Sequence, residues 1–564
     1  MTRCLLLCVL VILVNWRLVF TGEYSWLEAQ GIFERVLPLM QFQAGELHRW
    51  RLPIFDPYSP GGQPLIGFGS GVTQLWYLPH TLLLALPLNQ GWLFQKPLHW
   101  YFALTQCAMA IAMWMFARRR LYLSEGAAFV AALGYALAVP FAAGPDPQAL
   151  HAAVWLPATF AARPGWKRAF ALGLMWLPGH LWIPLGATIA LVAAEGVRQS
   201  RRDVALGLAI GSITILPGIA FATWPLPYTP PAAGVVLPAL GIFGWYIALP
   251  RPQIRKVLLP LAVAGILHPA LLLCSLAGAA GVALDDSGTI RPMARRWAVL
   301  LWIVASAVVV WALLPWIRFD QLTALEPLAL PCLLAAAAAL LLWSRPEPRR
   351  AMVFGALLVL ADGTRPPSAG FRMQSRHDGS RPRKLESFAA ALPQVAYMKQ
   401  FQHDRPRLWV DPAVIPYAFG PWWGVETSEP QFATHRLSVR PAPGFERVLY
   451  SGDDGVKVFA STKLPDTSCV ATETAEFLTP NVRRFAITSS CPAKFDARLS
   501  SAKGWRILLD GKSVEYPQQG LPVPAGDHKI EMRFLPIPLI AGALVNLLAA
   551  LYTFRLARRQ ALKL

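Results

Sequence analysis

Charge is scarce in this sequence. Asp, Glu, Lys and Arg together make up 15% of its 564 residues, against roughly 25% in soluble proteins. With 55% apolar residues and a mean hydropathy of +0.41, an ordinary soluble domain is excluded. Nucleotide motifs are missing too. No Walker A sequence and no G-x-G-x-x-G run occurs, which argues against nucleotide-driven transport and against direct use of a nucleotide sugar. D-x-D, H-E-x-x-H and Cys/His zinc spacings are also lacking. No cofactor is therefore expected and metal-independent chemistry is preferred, although two scattered carboxylates can hold Mg²⁺ without a motif. No basic stripe stands on a soluble stretch, so the net charge of +20 does not point to nucleic acid.

What is present is a series of apolar runs of membrane-crossing length. They fall near 4–20, 98–117, 125–143, 149–162, 169–181, 182–196, 203–221, 233–250, 257–268, 269–284, 297–316, 324–343, 350–362 and 535–554. The first ends at Thr21-Gly22-Glu23-Tyr24 with no A-x-A-like cleavage pattern, and reads as a retained helix. Basic clusters punctuate the series: Arg118 to Arg120, Arg163 with Lys167 and Arg168, Arg198 with Arg201 and Arg202, Arg251 with Arg255 and Lys256, Arg291 with Arg295 and Arg296, Arg345 with Arg349 and Arg350, and Arg555 with Arg558 and Arg559. Under the positive-inside bias these mark cytoplasmic loops. Even numbers of crossings then separate them. The expectation is a polytopic α-helical protein of the plasma (inner) membrane, with about fourteen spans and both termini cytoplasmic. The run Val72 to Leu88 must stay outside as an interfacial or re-entrant segment. Short, Pro-broken spans such as the one ending at Trp176-Leu177-Pro178-Gly179 need protein or water around their freed backbone groups and hint at a cavity.

Domain boundaries follow. Residues 1–362 form the transmembrane domain with a first outer loop at 21–71, and 363–385 are a polar, basic linker. Residues 386–533 are strand-rich, 534–554 are the final span, and 555–564 a basic cytoplasmic tail. In 386–533, runs such as Arg484-Phe485-Ala486-Ile487 and Trp505 to Leu509 are bounded by turn residues. Asp510-Gly511 signals a type I′ hairpin, and Ala525-Gly526-Asp527 a second turn. This segment is expected to be an extracytoplasmic β-sandwich. Cys469 and Cys491 are the two cysteines outside apolar runs; Cys4, Cys8, Cys107, Cys274 and Cys332 lie inside them. Two cysteines in such a domain are expected to form a disulfide.

Three stretches carry a resemblance to a known family. They are Leu52-Pro53-Ile54-Phe55-Asp56-Pro57-Tyr58 through Gly61-Gly62-Gln63-Pro64-Leu65; Trp155-Leu156-Pro157, Gly179-His180 and Leu216-Pro217; and Gly504-Trp505-Arg506 to Gly511, Val523-Pro524-Ala525-Gly526-Asp527-His528 and Phe534-Leu535-Pro536. In order and spacing they resemble the bacterial YfhO family of membrane proteins. Asp56 stands where that family often has Asn, and Phe55 where it has Trp. The resemblance implies a GT-C-like core. It also implies a glycosyltransferase moving sugar from a polyprenyl-phosphate carrier to a cell-envelope glycan or glycolipid, with membrane lipid around it. A lipid-linked-sugar transporter and a non-catalytic envelope-assembly protein are the alternatives.

Such transfer needs a carboxylate to take the acceptor proton and donors to hold the phosphate. The loop 21–71 supplies both. Gln30 to Leu47 has the apolar spacing of an interfacial helix. The loop's acids are Glu23, Glu28, Glu34, Glu46 and Asp56. Glycosyltransferases with the GT-C core are similar in placing a catalytic acid here, near the first span, which Glu28 and Glu23 match; Asp56 is the rival. Any of them can equally be a solvated or capping acid. Arg35, Arg49 and Arg51 are candidate phosphate contacts or headgroup snorkellers, and His48 suits either role. Tyr58 and Gln63, in the loop motif, are further substrate-binding candidates. Asp146 with His151, and His180 at a helix apex, complete the set; His180 can bond substrate or hold a helix end. The aromatics Trp409, Trp422, Trp423, Trp505 and Tyr516 can stack on sugar or fill a core.

Overall fold

The computed structural model describes residues 2–21, 24–25, 36–58, 62–68, 74–89, 93, 95–143, 147–221, 236–286, 296–297, 334–344, 348–363, 373–374, 408–410, 447–451, 457–460, 470–495, 503–516 and 520–561. The chain is mostly helical, with a small sheet domain near its C-terminus.

The helices are α1 (Thr2–Val14), α2 (Leu37–His48), α3 (Leu78–Leu84), α4 (Gln95–Arg119), α5 (Glu125–Ala143), α6 (Pro147–Ala161), α7 (Trp166–Trp176), α8 (Trp182–Glu195), α9 (Val197–Phe221), α10 (Val236–Ala248), α11 (Pro252–Ala264), α12 (Pro269–Asp285), α13 (Leu334–Ser344), α14 (Pro348–Gly363) and α15 (Ile537–Ala561). Among the described residues, α4, α9 and α15 are long and apolar enough to cross a membrane, and several shorter apolar helices stand beside them. Local chemistry sets their ends. Pro252 and Pro269 start α11 and α12, where a missing N–H costs nothing. Gly196, with φ +84°, lets the chain turn between α8 and α9. Small residues bring helices close: a Cβ on Gly244 of α10 would strike the carbonyl of Ala279 in α12, and one on Gly542 of α15 the carbonyl of Ser212 in α9.

Polar contacts show which helix ends lie together. Arg3 pairs with Glu125; Arg120 and Arg168 pair with Glu195; Arg168 pairs with Asp203; Arg251 pairs with Asp286. Arg202 donates to the Tyr552 hydroxyl and Trp166 to Gln560 near the end of α15. One end of the bundle thus gathers members of four basic clusters, Arg120, Arg168, Arg202 and Arg251. Arg168 is not the loop charge the sequence suggested. It is 1% exposed, with its guanidinium 2.5 Å from Glu195 and 2.6 Å from Asp203.

The C-terminal domain has an antiparallel five-stranded sheet in the order β12-β11-β14-β9-β8. The strands are β8 (Val470–Thr479), β9 (Val482–Ser489), β11 (Trp505–Leu509), β12 (Lys512–Val514) and β14 (Gly526–Phe534). The pair β10 (Ala493–Phe495) and β13 (Leu521–Val523) closes one face, with Phe485, Ile487, Ile507, Ile530 and Met532 packing against Phe495, Leu521 and Val523. A separate three-stranded sheet joins β5 (Leu408–Val410), β7 (Lys457–Ala460) and β6 (Arg447–Ser451). The Asp510-Gly511 turn forms as its residues require: Leu509 pairs with Lys512, and φ is +51° and +79°. Cys491 is disulfide-bonded; Cys469 and Cys332 lie outside the described residues.

One loop expectation changes. The helix expected over Gln30–Leu47 to lie in the interface is α2, and it is buried on nearly every side. Its polar residues find protein partners: Gln41 accepts from the Leu93 N–H at 2.8 Å. The run 72–88 holds α3, at seven residues about 10 Å long and too short to cross.

Candidate functional site

At the other end of the bundle, the first loop meets the sheet domain. β2 (Phe55–Asp56) and β3 (Gln63–Pro64) form a small hairpin. Beyond it Gly67, at φ +95°, lies directly against Gly218 of α9, and the ring of Phe68 occupies the space a Cβ on Gly218 would need. Phe55, Ile54, Ile66 and Leu75 share one apolar cluster with Phe534 and Leu539, while Trp505 packs against it. The Phe55 ring lies 4.9 Å from Trp505 and 4.8 Å from Phe534. Asn481 donates to the Leu52 carbonyl at 2.6 Å. The strand pair β1 (Tyr24–Ser25) and β4 (Met373–Gln374) ties the start of the same loop to the linker region.

Charge is collected at this seam. Asp56 is fully buried; its Oδ1 accepts the Tyr58 N–H at 2.9 Å and its Oδ2 accepts from Gln63 at 3.3 Å, an Asx turn that fixes the hairpin. Glu46, also buried, takes Arg49 at 3.0 Å and Arg51 at 3.9 Å. The Arg483 side chain comes from β9. It is buried, lies 5.7 Å from the Phe55 ring centre and 5.6 Å from that of Trp505, and donates to the Pro57 carbonyl at 3.4 Å. The Tyr58 phenol feels all of these groups. Burial pushes its pKa up to about 12, Glu46 and Asp56 add to the rise, and Arg49 and Arg483 oppose it. It therefore stays a neutral donor.

Five predicted residues are thus brought together: Asp56, Tyr58, Gln63, Arg49 and Arg51. His48 turns back to the Ala44 carbonyl at 2.8 Å. Glu23, Glu28, Glu34, Arg35, Asp146, Trp422 and Trp423 lie outside the described residues. His151 sits in a separate buried group. It donates to Gln74, stacks on Tyr77 with ring centres 4.7 Å apart, and meets the rings of His80 and Tyr101 at 5.8 Å and 5.2 Å. His180 holds a helix end: its Nδ1 accepts the Ile183 N–H at 3.2 Å, at the start of α8. Its ring faces His268, which caps α12 in the same way at 3.1 Å. Among the described residues no cluster of three or more metal-ligating side chains occurs.

Sequence reasoning missed Arg483, His80 and His268. For Arg483 a signal existed. Strand parity puts residue 483 on the same face as Phe485 and Ile487, the buried one. No protein-family model, curated protein or solved structure matches the chain.

Proposed function

We propose that this chain is a membrane glycosyltransferase of the YfhO-like kind, taking sugar from a polyprenyl-phosphate carrier and delivering it to a cell-envelope glycan or glycolipid. In this reading the helices form a GT-C-like core of about fourteen spans with both termini cytoplasmic. The first loop and the sheet domain stand on the outer side of the plasma membrane. One observation supports it above the others: the acid- and arginine-bearing loop is clamped between α9 and the late sheet, with Asp56, Tyr58, Gln63, Arg49, Arg51 and Arg483 gathered at the seam.

The chemistry is one substitution. An acceptor hydroxyl oxygen bonds to the anomeric carbon while the carbon–oxygen bond to phosphate breaks. The electron pair leaves with polyprenyl phosphate, and the hydroxyl proton passes to a loop carboxylate. Arg49 and Arg51, with side chains 67% and 39% exposed, hold the leaving phosphate. Asp56 is sealed from solvent and already engaged, so its role is positioning, through Tyr58 and Gln63. Glu28 or Glu23 takes the proton.

The test is incubation of the purified protein with polyprenyl-phosphate sugars and envelope polymer. Transfer that Glu28→Gln or Glu23→Gln abolishes, with the protein still folded, is the expected result. Asp56→Asn should raise the donor KM more than it lowers kcat. Sugar that stays on its carrier with every acceptor tried, or full activity in all three variants, rejects the reading.

A further inference from the structure

The turn that leaves α2 holds its most exposed large side chain in an unfavourable backbone. Trp50 is 97% exposed and has φ +57°. The left-handed conformation after a helix is where glycine is strongly preferred, because a Cβ is strained there. The geometry is enforced by hydrogen bonds: the N–H groups of Arg49 and Arg51 reach the Glu46 carbonyl at 3.0 Å and 2.9 Å, and the Trp50 N–H reaches Leu47 at 2.9 Å. An indole so exposed contributes nothing to the packing of the described chain. Strain of this kind persists where the side chain has work to do.

Its neighbours say what work. Arg49 and Arg51 flank Trp50, and one buried carboxylate, Glu46, serves both guanidiniums. The turn keeps a net positive charge beside an exposed indole, with Leu52, also exposed, next in the chain. Guanidinium pairs match phosphate oxygens, and an indole settles where apolar and polar layers meet. Six residues on, strand β2 carries Asp56 to the seam with Arg483.

We propose that Trp50 is the lipid-reading residue of the carrier site. Arg49 and Arg51 bind the phosphate, and the indole lies against the first apolar carbons of the polyprenyl chain. The assignment rests on the proposed donor being a lipid phosphate, and it names the residue that recognises the lipid part.

The full-length protein in nanodiscs is titrated with sugar-free polyprenyl phosphate, with polyprenol and with phosphatidylglycerol, by native mass spectrometry, alongside thermal unfolding. Trp50→Gly should weaken polyprenyl-phosphate binding about tenfold while raising the unfolding temperature. Arg49→Gln with Arg51→Gln should erase the preference for polyprenyl phosphate over polyprenol. Unchanged binding in Trp50→Gly, a lowered unfolding temperature in that variant, or equal competition by phosphatidylglycerol overturns the proposal. Binding is read without sugar, so absent transfer with intact Trp50-dependent binding rejects the transferase reading alone.

Discussion

Arg483 of the late sheet sits with its guanidinium 5.7 Å from the ring centre of Phe55 in the first loop and donates to the carbonyl of Pro57. A buried cation between two aromatic rings links sequence segments that have most of the helical bundle between them. It also leaves a clear experimental handle. Arg483→Met keeps an apolar stem but removes the charge and its donors. The Pro57 carbonyl then loses this bond, and the Tyr58 phenol loses a charge that opposes those of Glu46 and Asp56. We expect about 2–3 kcal/mol of destabilisation and faster amide exchange at Tyr58, read by hydrogen exchange. Unaltered exchange at Tyr58 would show that the sheet does not hold the loop.

The other side of the clamp is steric. Gly67 and Gly218 touch, and Phe68 fills the space above Gly218. Gly218→Val forces branched carbons into that ring, with helix backbone behind and no room to yield. Overpacking of this sort costs about 1–3 kcal/mol. The expected sign is a lower unfolding temperature together with release of the loop to limited proteolysis. Gly45, where nothing lies within 4 Å of the added carbon, is the control: Gly45→Ala in the helix α2 should be neutral or slightly stabilising.

pH should act on the hairpin turn of the sheet domain. His528 donates from Nδ1 to Asp510 at 2.7 Å, and Asp510 also accepts the Lys529 N–H at 2.7 Å. The hydrogen bond with Asp510 raises the His528 pKa above its ordinary 6.5, and that with His528, followed by the Lys529 N–H, lowers Asp510 below 3.8. The two signs oppose. The histidine's contribution is complete below 6.5 and fades as pH climbs through its raised value. The aspartate's is complete above 3.8 and fades as pH falls through its depressed value. The turn is therefore tightest between these limits. Protection at Lys529, taken as the intrinsic exchange rate at each pH divided by the observed one and followed from pH 4 to pH 9, should be greatest at the acid side of neutrality and fall above it. In His528→Gln that alkaline fall in protection should vanish, and its survival would assign the effect elsewhere.

Much of this architecture could be read from residues alone, and the failures have physical causes. Asp510-Gly511 specifies its turn because few pairs tolerate two positive φ values, so that hairpin was legible. The α7–α8 break at Pro178-Gly179 was legible for a similar reason. Arg168 was misread because a lysine-arginine pair after an apolar run looks the same whether it meets water or two carboxylates that arrive from later helices. α2 was misread because apolar spacing identifies one greasy face. It does not reveal that Gln41, Gln43 and Glu46 on the other faces will also find protein partners. Trp50 was invisible because its significance lies in a backbone angle. Of the site, the loop motif around Asp56 was found and its partner on β9 was not, since no local pattern encodes which distant strand will cover it.

The buried network at the opposite end gives the sharpest stability expectation. Arg168 donates through Nε to Asp203 at 2.8 Å and through Nη1 to Glu195 at 2.5 Å; Asp203 also accepts the Gly165 N–H, and Glu195 also accepts from Arg120. These contacts join the ends of α4, α7, α8 and α9. Arg168→Met leaves two carboxylates with a single partly exposed guanidinium, Arg120, which reaches Glu195 alone, and breaking a buried pair in this way costs about 3–5 kcal/mol. Lysine cannot reproduce the fork that reaches both acids, so Arg168→Lys should recover only part of the loss. Replacing the partners as well, in Arg168→Met with Glu195→Gln and Asp203→Asn, removes the stranded charges and should restore more stability than the lysine does. Thermal unfolding of the four proteins orders them. If the triple variant is the least stable, the network stabilises by attraction rather than merely avoiding an unpaired charge.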